Sequence, residues 1–148
     1  PESRAQTVGV VLDRPAHFDN KTVEMRGDIV VANEVVVFED GSACKAGPPP
    51  PCKLAVRVGK CVISGGDSDG EKCNTIFQEM FLQLHDVNRR SAIVTLQDVI
   101  IRGIVSTKRK GITWDKSLGR RPPVGFGHLG LYPGEVELTL IDVHPRRR

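Results

Sequence analysis

The side chains able to do chemistry fall into three groups, and the cysteines are the most constrained. Cys44, Cys52, Cys61 and Cys73 crowd into one third of the chain, with separations of eight, nine and twelve residues. Those spacings lack the paired C-x2-C knuckle that grips a structural zinc ion. Each cysteine stands at the edge of a stretch rich in glycine, proline or aspartate, where a cross-link would restrain otherwise loose chain. Two disulfides and an oxidising compartment are therefore expected. Of the three possible pairings, Cys44–Cys52 and Cys61–Cys73 come first, because each closes a single loop. Free thiols in a cytosolic protein, and a zinc site, are the competing readings.

The second group is cationic. Lys108, Arg109, Lys110, Lys116, Arg120 and Arg121 share the segment 107–123 with Trp114, the chain's one tryptophan. Cations that track a phosphate backbone beside an indole that stacks on a base are what a single-stranded nucleic-acid site needs. The same cations suit any other anionic partner. Arg146, Arg147 and Arg148 read as a solvated tail.

The third group is sparse. His128 lies among Gly125, Gly127 and Gly130, where backbone can approach a ligand closely. His17, His85 and His144 have no metal-ligand spacing toward it. Hydrogen bonding to backbone, fixing the turn before the last strand, is the simpler role. Asp67-Ser68-Asp69-Gly70-Glu71 has the look of a calcium loop but lacks the ligand series of an EF-hand. No nucleophile elbow, phosphate loop or dinucleotide fingerprint occurs. No catalytic residue, no metal and no cofactor are expected, and the chain does not read as an enzyme.

The elements that must position these groups are mostly strands. At 148 residues, 39% hydrophobic and 26% charged, the chain has the size and composition of one globular domain spanning 1–148. Valine and isoleucine dominate the apolar set and favour pleated surfaces. No apolar run approaches the roughly 20 residues of a membrane-spanning helix.

Alternation predicts a first short strand over 7–12, followed by a loop over 13–20 with Pro15 and Asp19-Asn20 as turn formers. A clearer strand over 22–31 sets Val23, Met25 and Ile29 on one face, with Gly27 marking a bend or bulge. A strand over 35–39 closes at the Asp40-Gly41 turn. The proline run at 48–51 makes a rigid connector. A strand over 54–62 points Leu54, Val56 and Val58 inward and Lys53, Ala55 and Arg57 outward, and a loop over 64–72 follows.

The segment 74–85 reads as the one helix. Thr75 and Gln78 form a capping box, while Ile76, Met80 and Leu84 recur with Phe77 and Phe81 alongside. Such a helix would plug one end of a barrel. A long strand over 92–106 slips its inward parity at Gln97-Asp98, and a last strand over 135–143 slips likewise. Val23 to Ile29 and Val99 to Val105 echo each other as V-x-x-R-G-x-[IV], two long strands each bent at a glycine.

Several strands, a helix, then further strands match an OB-fold-like Greek-key barrel of five or six strands, with the helix between the third and fourth. A β-sandwich is the competing architecture. Asp19-Asn20-Lys21-Thr22-Val23-Glu24-Met25-Arg26-Gly27 resembles the opening strand of OB-fold proteins. Gly127-His128-Leu129-Gly130, followed by Glu135-Val136-Glu137-Leu138, resembles the C-terminal GHLG segment of small uncharacterised bacterial OB-like proteins. The resemblance covers the two ends of the chain and implies a barrel, a bacterial origin and export. It brings no active-site residues.

The expected function is a non-enzymatic binding or interaction module of a bacterial cell envelope, periplasmic or lipid-anchored. Its partner would be a protein or an anionic ligand, held by Lys108, Arg109, Lys110, Trp114, Arg120, Arg121 and His128. Nucleic acid is the alternative partner, and a metal-dependent or hydrolytic enzyme is a distant third reading. Against nucleic acid, the stretches 35–39 and 54–62 hold one aromatic, Phe38, where a stacking platform needs several.

Overall fold

The structure, a computed structural model, describes residues 5–33, 35–45, 52–86, 92–107 and 132–143. Five strands close into a barrel: β1 (Thr22–Ala32), β2 (Val35–Glu39), β3 (Leu54–Ser64), β4 (Ile93–Ser106) and β5 (Glu135–Asp142). Their order around the barrel is β1-β2-β3-β5-β4, with β1 against β4 and β3 parallel to β5. This is an OB-like barrel with five strands, and closure removes the sandwich alternative. A helix, α3 (Asn74–Leu84), lies in the chain between β3 and β4.

The alternation in the strands becomes the core. Met25, Ile29, Phe38, Leu54, Ile101 and Leu138 are fully buried inside the barrel, each contributing about 1.5–3 kcal/mol. The parity slip expected at Gln97-Asp98 is real, and the one expected after Leu140 falls instead at Thr139, leaving Leu140 half-buried. Across β1 and β4 the register jumps between Gly27 and Ile29, where β4 carries one extra residue. Asp98, at that bulge, has φ +52 and is held by an Arg26–Asp98 ion pair at 2.8 Å. Across β4 and β5 the register jumps between Arg102 and Gly103, and the Thr139 hydroxyl donates to the Arg102 carbonyl.

The two echoed segments pair with each other. Val23 faces Gly103, Met25 faces Ile101 and Gly27 faces Val99, so the motif meets its own copy about a local twofold. Both glycines are required by a close approach of the neighbouring strand. A Cβ on Gly27 would lie 2.5 Å from the Glu39 carbonyl oxygen, and one on Gly103 2.5 Å from that of Glu137.

Four expectations are corrected. Residues 7–12 are not a strand: α1 (Val8–Asp13) is a helix, with Thr7 as N-cap accepting from the Val10 N–H. Val8, Val11 and Leu12 share its buried face, and Val10 is exposed. The stretch 13–20 is not all loop, because α2 (Pro15–Phe18) forms a single turn with proline at its start. Ala55 is buried rather than turned to solvent. Its N–H donates to the Gly134 carbonyl, which places it under the start of β5. The Thr75–Gln78 capping box is absent, since α3 begins at Asn74 with Cys73 as its N-cap and makes no side-chain cap bond. Thr75 therefore sits inside the first turn, where its hydroxyl cannot serve the helix end.

Helices close both ends of the barrel. At one end α3 inserts Phe77 and Met80 into the core. At the other, α1 and α2 contribute Val8, Val11, Leu12 and Phe18. Both expected disulfides are present. Cys44–Cys52 has Cα atoms 5.5 Å apart, and Cys61–Cys73 5.3 Å. They are compatible with an extracellular or otherwise oxidising compartment. No helix among the described residues is long and apolar enough to cross a membrane.

Candidate functional site

In OB barrels the connections joining strands one to two and four to five carry ligands, together with the surface of strands two and three. Here the first connection is short, since β1 ends at Ala32 and β2 begins at Val35. The second is long, leaving β4 at Ser106 and entering β5 at Glu135. Lys108, Arg109, Lys110, Lys116, Trp114, Arg120, Arg121 and His128 all belong to it and lie outside the described residues, as do the GHLG segment and prolines 48–51. Its two stems are described.

The outgoing stem is clamped by α2 and the turn after it. The Val105 N–H donates to the Lys21 carbonyl, and the Asn20 N–H to the Val105 carbonyl at 2.7 Å. Asn20 takes φ +63, a conformation asparagine tolerates better than most residues. The Thr107 N–H donates to an Asp19 carboxylate oxygen at 2.9 Å, and its hydroxyl to the Pro15 carbonyl at 2.6 Å. The returning stem is anchored by Gly134, packed so closely that an added Cβ would lie 2.9 Å from Leu54 and 3.0 Å from Leu12. The basic connection thus leaves and rejoins the barrel at the α1–α2 end.

That end carries two further cations and a histidine. Arg14, His17 and Lys21 are exposed on and around α2, the helix that holds Thr107. His17 is held below the usual imidazole range, first by the charge of Lys21, then by desolvation and by Arg14. Arg14 and Lys21 thus stand beside the outgoing stem, with the carboxylates of Asp13 and Asp19 at the same end. Sequence reading missed this group: Arg14 and Lys21 stand far along the chain from Lys108, with no periodicity to link them. The only signal available was the type of the residues.

The outer surface of β2 and β3 is unlike a stacking platform. Phe38 points into the barrel and is fully buried. Among the described residues that surface bears two ion pairs, Lys53–Glu39 at 3.1 Å and Arg57–Glu137. The Arg57 guanidinium is pushed above its ordinary range, chiefly by its hydrogen bond to Glu137. Val37 and Ala55, between these pairs, are buried.

Two other features lie away from this end. A groove of about 260 Å³ lies between α3 and the β2–β3 edge, lined by Val36, Val56, Val58 and Phe77, with Phe81, Asn74 and Gln78 at its sides. None of these side chains ionises. In the loop after β3, the Asp69 carboxylate accepts from the Gly65 N–H at 2.8 Å and serves the turn. Among the described residues no three His, Cys, Asp or Glu side chains are grouped to hold a metal ion. Comparison with protein-family models, curated proteins and solved structures finds no match for this chain, so its barrel and its stems carry the functional argument.

Proposed function

We propose that the protein is a non-enzymatic binding module of a bacterial cell envelope that holds an anionic partner through its β4–β5 connection. One observation carries this reading. The outgoing stem leaves the barrel beside Arg14 and Lys21, so a segment with six cations is rooted next to two more. The envelope setting draws on the two disulfides, which persist in oxidising compartments. His128 and Trp114, in the same connection, would supply a polar contact and a flat apolar one.

Single-stranded nucleic acid is the second reading, favoured by one indole among cations. The surface of β2 and β3, without an exposed aromatic among the described residues, weighs against it.

The test is binding across a salt series to two probes: vesicles containing an anionic lipid, and a labelled single-stranded oligonucleotide. Salt-sensitive binding to vesicles, lost in a Lys108→Gln, Arg109→Gln, Lys110→Gln variant, is the expected result. Binding confined to the oligonucleotide would replace the first reading with the second. Binding to neither probe at low salt would remove the anionic partner from both.

A further inference from the structure

The two disulfides differ in what surrounds them. Cys61 and Cys73 are 4% and 0% exposed and lie within the core cluster, whereas Cys44 and Cys52 are half-buried at its margin. Thiol–disulfide exchange needs a thiolate to reach a sulfur in line, so access separates the two bonds.

What Cys44–Cys52 holds is specific. Residues 40–45 run as a strap along α1 and contact it at both ends. An Asp40 carboxylate oxygen accepts from the Val8 N–H at 2.9 Å, and the Ser42 Oγ accepts from the Gly9 N–H at 2.8 Å. The other Asp40 oxygen accepts from the Ser42 N–H at 2.9 Å and fixes the strap's own turn. At the far end, the Lys45 N–H donates to both Asp13 oxygens, at 2.9 and 3.1 Å. Between these, Gly9 lies so near the strap that a Cβ would stand 2.4 Å from the Ala43 carbonyl oxygen. Cys44 sits between Ala43 and Lys45, and its partner Cys52 stands just ahead of β3. A six-residue helix has little stability of its own, so α1 depends on this strap and on its buried face.

We propose that Cys44–Cys52 is a reducible latch: a dithiol reductant opens it before Cys61–Cys73, and its opening loosens α1 from the barrel end. The exchange is balanced. One reductant thiolate attacks a protein sulfur and forms a mixed disulfide, expelling the other protein sulfur as a thiolate. The second reductant thiol then closes its own disulfide and releases the remaining protein sulfur. The reductant loses two electrons and two protons, and Cys44 and Cys52 end as thiols. The latch would bear on the β4–β5 connection as well, because Leu12 of α1 packs over Gly134 at its returning stem. It stands, however, whether or not that connection binds an anion.

The test is a graded dithiothreitol titration of the oxidised protein, with alkylation and peptide mass mapping at each step, alongside amide hydrogen exchange. Alkylation at Cys44 and Cys52 while Cys61 and Cys73 stay bonded is expected. At that step the amides of Val11 and Leu12 should exchange about tenfold faster while those of β1 and β4 keep their protection. A Cys44→Ser, Cys52→Ser variant should show the same exchange without reductant. Simultaneous opening of both disulfides, or unchanged α1 exchange once Cys44 and Cys52 are alkylated, would overturn the latch. The wild-type titration decides the matter even if the double variant fails to fold.

Discussion

The two ends of the barrel are closed by the same means and to different effect. Each has a helical plug and a disulfide. At the α3 end the disulfide is buried and joins the helix's N-cap residue directly to β3, with the Cys73 N–H donating to the Cys61 carbonyl at 3.0 Å. At the α1–α2 end the disulfide is half-exposed, and the plug is held by carboxylate and hydroxyl oxygens on backbone N–H groups. Both plugs bury apolar side chains in the core, Val8, Val11, Leu12 and Phe18 at one end and Phe77 and Met80 at the other, so the ends differ in access to their disulfides and in the polar contacts that seat α1. The difference teaches that the α3 end serves the stability of the barrel. The α1–α2 end, where the long connection leaves and returns, is the one whose disulfide is open to solvent.

The largest test of that contrast is truncation of the two plugs. Phe77→Ala should cost about 3–5 kcal/mol of global stability in denaturant unfolding. Val11→Ala should cost less, about 1–2 kcal/mol, because a smaller group leaves a smaller cavity. Equal losses would mean that both plugs belong to one cooperative core. Next, Cys61→Ser with Cys73→Ser should lower stability by about 3 kcal/mol, from the loop it closes. Thermal unfolding without reductant measures this, and a smaller loss than in the Cys44→Ser, Cys52→Ser variant would reverse the assignment of the two ends.

A smaller effect is expected for Asp40→Asn. It retains the shape but weakens acceptance from Val8 and Ser42 at the start of α1, at a cost of about 1 kcal/mol. Hydrogen exchange should localise the change to α1. The smallest concerns His17. Its value lies below 6.5, so its contribution to stability is present above that pH and is lost as pH falls through the folded value. Lys21→Gln removes the first cause of the depression and should raise the His17 midpoint, read by NMR titration. An unchanged midpoint would show that the charge of Lys21 does not act on His17.

Much of the barrel was legible because strands report their faces locally. Val23, Met25, Ile29, Val99 and Ile101 can be sorted by parity alone, and the slip at Gln97-Asp98 marks a bulge or a short turn before any partner is known, while the slip read after Leu140 lies at Thr139 in the structure. The site was less legible. Residues 7–12 hold valines at 8, 10 and 11 and a leucine at 12, a run that fits the strand period and the helix period equally in so few residues. The helix won through Asp40 and Ser42, which lie distant in sequence and supply acceptors for its first N–H groups. Capping was misjudged at α3 for a related reason, since a covalent bond to β3 fixes where that helix begins.

By itself the sequence determined the five barrel strands, the irregular places at Gly27 and Gly103, the helix over 74–85 and a first choice of disulfide partners. Each of these follows from short-range geometry: side-chain alternation, the crowding a Cβ would create, helical spacing, and the entropy of closing a short loop. Only the tertiary structure decided that the echoed strands pair with one another and that α1 is a helix. It alone brought Arg14, His17 and Lys21 to the base of the basic connection. Those outcomes depend on which distant segments meet when the barrel closes, and no local pattern encodes a meeting between residues so far apart in the chain.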